Sequence, residues 1–206
     1  MILNPDIERY IHNLLPSRDA VLAEMEGAAA ERKIPIVGPA VGGLLALLVQ
    51  VCRARRIFEL GSAIGYSTIW LARAAGEGAE VHYTDGSEAN AREALEWFRK
   101  AGVADRIRIH VGDALESLAA TPGEFDFAFN DVDKHGYLDV LAAVPPRLRP
   151  GGLFVTDNAL WHERVLDPRD ESSRKVVRFN RELYDRKDFT TTLVPLRDGV
   201  LVAAKR

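Results

Sequence analysis

The chain carries a single cysteine, Cys52, set among Val49, Val51 and other apolar neighbours. No disulfide can form within the chain, and the residue reads as a small core side chain in a reducing compartment. An excess of positive charge is also missing, the formal net charge being -3. Nucleic-acid binding draws most of its affinity from neutralised phosphates, so no nucleic-acid partner is expected. Local basic groups such as Arg53, Arg55 and Arg56 read as solvated helix-end charges. No apolar run is long enough for a membrane span: Val37 to Val51 is short and broken by glycine. The start, Met1 to Asp6, lacks the basic segment and long apolar stretch of an export signal. The expectation is a soluble, cytoplasmic protein with no membrane partner. None of the five histidines has the H-x-x-x-H spacing of a zinc site.

What is present is enough apolar sequence for one well-buried α/β domain over residues 1–206, 47% of the chain being hydrophobic. Residues 1–50 read as a helical cap. Ile7, Ile11, Leu14 and Leu15 share a helix face, a second helix runs from Asp19 to Arg32, Pro35 breaks it, and a third follows Pro39. From Arg56 onward, strands at Ile57–Leu60, Glu80–Thr84, Ile107–Val111, Phe125–Phe129 and Leu153–Thr156 alternate with helices from about Tyr66, Glu88 and Ala114 and one ending at Leu141. Strands separated by helices imply a parallel sheet with crossovers, helices covering both faces. A helix from Ser172 to Asp185 precedes two further runs joined at Asp198-Gly199, a hairpin that adds an antiparallel strand.

The runs Phe125 to Phe129 and Leu153 to Thr156 each stop abruptly in oxygen-bearing side chains, Asn130-Asp131 and Asp157-Asn158. If the two strands are neighbours, Asp131, Asp157 and Asn158 meet at the carboxyl edge of the sheet, where open α/β sheets bind ligands. Three hard oxygen donors suit a Mg²⁺-like ion, and Lys134 one turn on offers an amine that could take a proton. Each member also has an ordinary structural use. Lys134 could be a solvated lysine at a helix start, Asp133 that helix's N-cap, and Asp157-Asn158 a turn.

Glu59-Leu60-Gly61-Ser62-Ala63-Ile64-Gly65-Tyr66-Ser67 has the layout of a strand, a small-residue turn and a helix start, which brings backbone N–H groups close to a ligand. It departs from the G-x-G-x-x-G fingerprint, having Ala63 in place of the middle glycine. The next strand ends at Asp85, placed to accept ribose hydroxyls, and the third ends in Gly112-Asp113-Ala114, where Asp113 could meet the exocyclic amine of adenine. Asp85 and Asp113 could equally cap helices. Three strands ending this way fit an adenosyl ligand without phosphates.

The order of these motifs resembles the class I S-adenosylmethionine-dependent methyltransferases. Within them the chain is similar to the cation-dependent O-methyltransferases that include catechol and caffeoyl-coenzyme A O-methyltransferases and their bacterial relatives. The resemblance covers nearly the whole chain. It rests on Ile34-Pro35-Ile36-Val37-Gly38, Glu59-Leu60-Gly61 with Gly65-Tyr66-Ser67, Gly112-Asp113-Ala114 and Asp131-Val132-Asp133-Lys134. It continues through Leu148-Arg149-Pro150-Gly151-Gly152, Asp157-Asn158-Ala159-Leu160-Trp161, Phe179-Asn180 and Pro195-Leu196-Arg197-Asp198-Gly199. The family implies a Rossmann-like seven-stranded sheet, mostly parallel with a C-terminal antiparallel strand, and a homodimer, for which the apolar N-terminal helices offer an interface. It implies that Val37, Glu59, Gly61, Ser62, Ser67, Asp85, Asp113, Ala114 and Asp131 line the S-adenosylmethionine site. It also implies that Asp131, Asp157 and Asn158 hold a divalent cation, Mg²⁺ by donor type. Asn130, Ser87, His162-Glu163 and Arg197 differ from what the resemblance leads one to expect.

Methyl transfer from a sulfonium to oxygen is an in-line displacement, which needs an oxyanion held behind the methyl carbon. The expected reaction is methylation of a hydroxyl on a phenolic, catechol-like or other vicinal-diol small molecule. Asp131 would serve metal and catalysis, Lys134 would act as base or as electrostatic stabiliser, and Trp161 would form part wall, part core beside a planar substrate. Competing expectations are a metal-independent methyltransferase, an S-adenosylmethionine-binding module without turnover, and a nicotinamide-binding oxidoreductase.

Overall fold

A computed structural model of the protein describes residues 5–206; residues 1–4, part of the start read above against an export signal, lie outside it. Its centre is a sheet whose inner strands are apolar on both faces, as parallel strands covered by helices must be. The strands are β1 (Arg56–Leu60), β2 (Glu80–Asp85), β3 (Ile107–Val111), β4 (Phe125–Asn130), β5 (Leu148–Thr156), β6 (Phe189–Val194) and β7 (Val200–Lys205). They lie in the order β3-β2-β1-β4-β5-β7-β6. β1 to β5 pair in parallel, and β7 runs antiparallel between β5 and β6. The order reverses direction between β1 and β4, which makes their carboxyl ends a switch point.

The helices are α1 (Pro5–Leu14), α2 (Ala20–Arg32), α3 (Gly38–Val51), α4 (Tyr66–Ala75), α5 (Glu88–Lys100), α6 (Ala114–Ala120), α7 (Tyr137–Ala143) and α8 (Glu171–Asp185). Side-chain alternation along the strands splits the core in two. Ile57, Phe127, Phe129 and Val155 pack with α2 to α5, whereas Phe58, Leu60, Phe154 and Leu201 pack with α6 to α8. Local chemistry sets the helix starts: Asp19 accepts from the N–H groups of Val21 and Leu22 at 2.9 and 3.1 Å, and Asp170 with Ser173 forms a capping box before α8. α8 then buries Val176, Phe179 and Leu183 on one stripe.

Four sequence expectations need correction. α3 begins at Gly38 with Pro39 inside its first turn, where proline's missing N–H costs nothing. β5 begins at Leu148, earlier than its apolar run, because the register jumps from Phe125 opposite Leu148 to Phe127 opposite Leu153 and absorbs Pro150 and two glycines in the irregularity. Arg55 and Arg56 are not solvated helix-end charges. Arg55 donates to the Ala75 and Glu77 carbonyls that close α4, and Arg56 opens β1, pairing with Glu80 at 3.1 Å and lying 4.5 Å over the Phe125 ring. Cys52 is half-buried at the end of α3 and packs against the core edge, so it is less enclosed than its neighbours suggested.

The apolar face of α1 is only partly covered. Ile7 and Leu14 are 49% and 65% exposed, while Ile11 and Leu15 are half-buried. No helix among the described residues is long and apolar enough to cross a membrane.

Candidate active site

At the carboxyl ends of β1 and β4 the backbone is pinned beyond the last ladder pair. Asp131 donates its N–H to the Leu60 carbonyl at 2.9 Å, and Asp157 donates its N–H to the Asn130 carbonyl at 3.1 Å. The second bond carries Asp157 and Asn158 alongside Asp131. Gly61 turns away with φ +81°, and a Cβ there would meet the Asp131 carbonyl oxygen at 2.7 Å, so only glycine lets the two chains approach this closely. Asn158 adopts φ +54°, a conformation its short amide side chain tolerates.

Lys134 closes this group. Its ammonium donates to Asn158 Oδ1 at 2.6 Å and to the Val132 carbonyl at 3.3 Å, and it lies 3.6 Å from Asp131 Oδ1. The Trp161 and Tyr137 rings stand 5.1 and 5.2 Å from Nζ. Lys134 is buried, so its reading as a solvated lysine does not hold. Asp133 does cap the following turn, accepting from the His135 N–H at 3.0 Å. Burial pushes the Asp131 carboxyl well above the usual carboxylate range, and the neighbouring Asp157 adds to this while Lys134 opposes it. Burial raises Asp157 as well, and its Oδ1 has no hydrogen-bond partner. The two carboxylates therefore exceed the one ammonium that faces them. Two carboxylates and a carboxamide form an oxygen donor set suited to a hard divalent cation, and the orphaned Asp157 oxygen has room for one more positive partner. Among the described residues there is no cluster of three His, Cys, Asp or Glu side chains that could hold a metal, so the third donor here is the Asn158 amide.

A cleft of about 1010 Å³ opens over this group. It is lined by Gly61, Asp85, Asp113, Ala114, Asp131, Lys134, Asp157, Asn158 and Trp161 from the sequence reading. Val37, Glu59, Ser62 and Ser67 do not line it; all four are buried behind its wall. Glu59 there accepts from Ser62 Oγ at 2.8 Å and from Thr68, which stiffens the glycine turn from beneath. Asp85 holds the turn from above, one oxygen accepting the Ala63 N–H at 3.0 Å and the other the Ser87 N–H at 2.8 Å. It does not cap α5; Ser87 does. Asp113 caps α6 through Oδ1, which takes the Leu115 and Glu116 N–H groups at 2.7 and 2.9 Å.

Comparison with known proteins settles the family. The O-methyltransferase family model matches residues 16–206. The chain belongs to the O-methyltransferase family. A catechol O-methyltransferase from Niastella koreensis is 34% identical over 167 residues, which cover 78% of this chain and 76% of that protein. An O-methyltransferase from Bacillus cereus, solved in complex with SAH, superposes with a TM-score of 0.88 at 29% identity, over 98% of this chain and 97% of that one. An O-methyltransferase from Streptomyces achromogenes involved in tomaymycin synthesis, solved with SAM, gives 0.87 at 31% identity over 97% and 96%. Members of this family are S-adenosylmethionine-dependent enzymes, and the seven-stranded sheet found here is theirs.

Within this O-methyltransferase, the cleft residues that escaped the sequence reading of the site include Ile36, Ala63 and Thr84. Ala63 was visible only as a departure from a glycine pattern, yet its φ of +45° and its N–H bond to Asp85 make it part of the cleft wall. His162 and Arg197, noted in the sequence as departures, both line the cleft. His135 does not; its Nδ1 lies 2.8 Å from Asp133 Oδ1.

Proposed function

We propose that the enzyme transfers the methyl group of S-adenosylmethionine to a hydroxyl of a catechol-like or other vicinal-diol small molecule, with a divalent cation held by Asp131, Asp157 and Asn158. The observation that carries this reading is the convergence of those three oxygen-tipped side chains with Lys134 at the edge of a cleft whose other wall is the Gly61 turn. The solved relatives with SAM and SAH support the donor. A bound divalent ion would lower the pKa of adjacent hydroxyls and hold their oxygens in place.

The chain's own residues supply the rest. Gly61, Asp85, Asp113 and Ala114 would receive the adenosyl part, Asp113 using the oxygen left over from capping α6. Glu59, Ser62 and Ser67 would act from behind the wall by fixing the turn, and Val37, whose carbonyl accepts from Arg197, by fixing the start of α3. Asp131 would also border the donor. Lys134 would balance the developing oxyanion or accept its proton, and Trp161 would stack against the ring of a planar acceptor.

The test is methyl transfer to a panel of catechols and phenolic esters with and without divalent ions. Activity abolished by a chelator, restored by Mg²⁺ and lost in Asp131→Ala is the expected outcome; indifference to chelation sinks the metal role. One observation favours a metal-independent transfer instead: Lys134 already places a positive charge 2.6 Å from Asn158 Oδ1. Calorimetry with S-adenosylmethionine would then show binding that Mg²⁺ leaves unchanged.

The partly uncovered α1 face, together with exposed Leu47 and Val51 on α3, supports a homodimer in solution. Sedimentation of the wild type against Leu14→Glu tests it, and an all-monomer wild type ends it. The whole chain would act as one catalytic domain. The half-buried thiol of Cys52 fits a cytoplasmic setting.

A further inference from the structure

Beside the cleft lies a second cavity of about 760 Å³, walled by α1, by the start of α3 and by the β6–β7 turn. His162 lines both spaces and is the only histidine among the described residues that lines the cleft. It is held there at a cost, because Trp161, His162 and Glu163 have φ values of +45°, +51° and +65°, three consecutive non-glycine residues in the left-handed region. Strain of this kind persists where the surroundings over-determine it.

Asp198 supplies that determination. Its backbone carbonyl accepts the Leu160 N–H at 2.8 Å, and its Oδ1 accepts the His162 N–H at 2.6 Å. Its Oδ2 is buried with no hydrogen-bond partner and lies 3.8 Å from His162 Nδ1. The carboxylate is 12% exposed, whereas the imidazole is 71% exposed. Asp198 thus fixes the backbone of His162 through Oδ1 and keeps a carboxylate oxygen within ion-pair range of Nδ1, where it would stabilise a protonated ring.

We propose that His162, whose backbone Asp198 holds in place, is a catalytic residue that takes the proton of the acceptor hydroxyl. This assignment rests on the methyl-transfer reading above, with Lys134 in its role as the oxyanion's counter-charge. In the step, the acceptor O–H proton passes to His162 Nε2 and an oxygen lone pair forms the new C–O bond. The S–CH₃ bond breaks with its electron pair remaining on sulfur, leaving a neutral thioether. The imidazolium, stabilised by Asp198, then releases its proton to solvent.

Other charged groups line the two spaces that His162 borders. α1 contributes Glu8, Arg9 and His12, and the hairpin contributes Arg197 beside Asp198. Glu163 adjoins it on its own turn, Arg164 stands over the Trp161 ring, and Lys134, Asp131 and Asp157 face it across the cleft.

The test compares two acceptors, 4-methylcatechol, whose hydroxyls need a base, and 4-nitrocatechol, which ionises near neutrality unaided. For His162→Gln, kcat/KM is expected to fall about 100-fold on 4-methylcatechol and by under about threefold on 4-nitrocatechol, with Asp198→Asn following the same pattern. The pH profile on 4-methylcatechol should lose its acidic limb in His162→Gln, which a merely structural role would not move. Equal losses on both acceptors, or no loss on either, overturn the proposal. If the wild type methylates neither catechol, the methyl-transfer reading has failed by itself. With an active wild type, the NMR signal of the His162 ring tests contact independently: a shift on adding 4-nitrocatechol supports the assignment, and an unmoved signal overturns it.

Discussion

The Lys134 ammonium donates a 2.6 Å hydrogen bond to Asn158 Oδ1, tying the segment that leaves β4 to the segment that leaves β5. With Asp131 and Asp157 beside it, this ammonium, helped at Asp157 by Arg197, answers two carboxylates that burial alone would neutralise. A ligand that binds only the folded state stabilises it by mass action, about 2.7 kcal/mol at a hundredfold excess over its dissociation constant. Saturating Mg²⁺ should therefore raise the melting temperature by roughly 5–10 °C for a chain of this size. Asp131→Asn should abolish the rise. Lys134→Met should melt lower without Mg²⁺ and gain more from it, because the two carboxylates have lost the ammonium between them. Differential scanning fluorimetry reads all three proteins.

Gly61→Ala should damage both fold and cofactor binding. The added Cβ would sit 2.7 Å from the Asp131 carbonyl oxygen, a backbone atom that cannot swing aside, at a φ of +81°. Left-handed strain at a non-glycine residue costs about 1–3 kcal/mol before the clash is counted. Gly27 in α2 is the control, since its Cβ would meet nothing within 4 Å and its φ is helical. Gly27→Ala should stabilise by about 0.4–1 kcal/mol. Urea titration and S-adenosylmethionine calorimetry of the two variants separate these outcomes, and a Gly61→Ala protein that binds normally would remove the close approach from the account.

The sheet was legible because each strand is an apolar run bounded by glycine or acid, and the helices because their apolar spacing and caps agree. The metal-type cluster was legible because parallel neighbours place consecutive carboxyl ends side by side. What was not legible depended on long-range partners. Nothing near Arg55 or Arg56 in the sequence announces Glu77, Glu80 or Phe125. The pattern at Leu148 to Gly152 hides a strand because the register irregularity there breaks the alternation. Ser62 and Ser67 carry hydroxyls suited to a ligand, and only the fold shows them buried beside Glu59. His162 looked like an oddity of one turn until Asp198, on a hairpin thirty-six positions later, was seen behind it.

Stability should fall as pH drops below neutrality, through His82. Its ring is buried between Glu80 and His110, with Nε2 2.8 Å from Glu80 and Nδ1 2.9 Å from His110. Burial lowers its pKa below 6.5 and outweighs the pull of Glu80. The unfolded chain therefore binds this proton more tightly, and stability rises with pH between the depressed folded value and 6.5. His110, lowered by burial too, adds in the same direction. His82→Phe should flatten the dependence of the urea midpoint between pH 5 and 7, since it removes one titrating ring from a site already stacked on Phe58. An unchanged slope in that variant would show that the titration lies elsewhere.

Asp126 should add a second acid-labile step in the same direction, at lower pH. Its Oδ2 accepts the N–H groups of Arg55 and Arg56, each at 2.7 Å, and its Oδ1 accepts Arg149 Nε at 2.5 Å. One carboxylate thus joins the entry of β1 to β4 and β5. Burial works to raise its pKa but is outweighed by Arg149 and the two backbone N–H groups, which hold it below 3.8. A depressed folded pKa contributes stability that is full above 3.8 and is lost as pH falls through the lower folded value. Asp126→Ala leaves two backbone donors without their acceptor and takes the carboxylate from Arg149, which keeps the Pro150 and Cys52 carbonyls, so it should cost about 1–3 kcal/mol at pH 7. Asp126→Asn keeps an acceptor for the N–H groups and loses the charge, so it should cost less and shed the acid-dependent share. Urea midpoints at pH 7 and pH 3 for the three proteins check both statements, and an asparagine variant as acid-sensitive as the wild type would place the acid lability in other carboxylates.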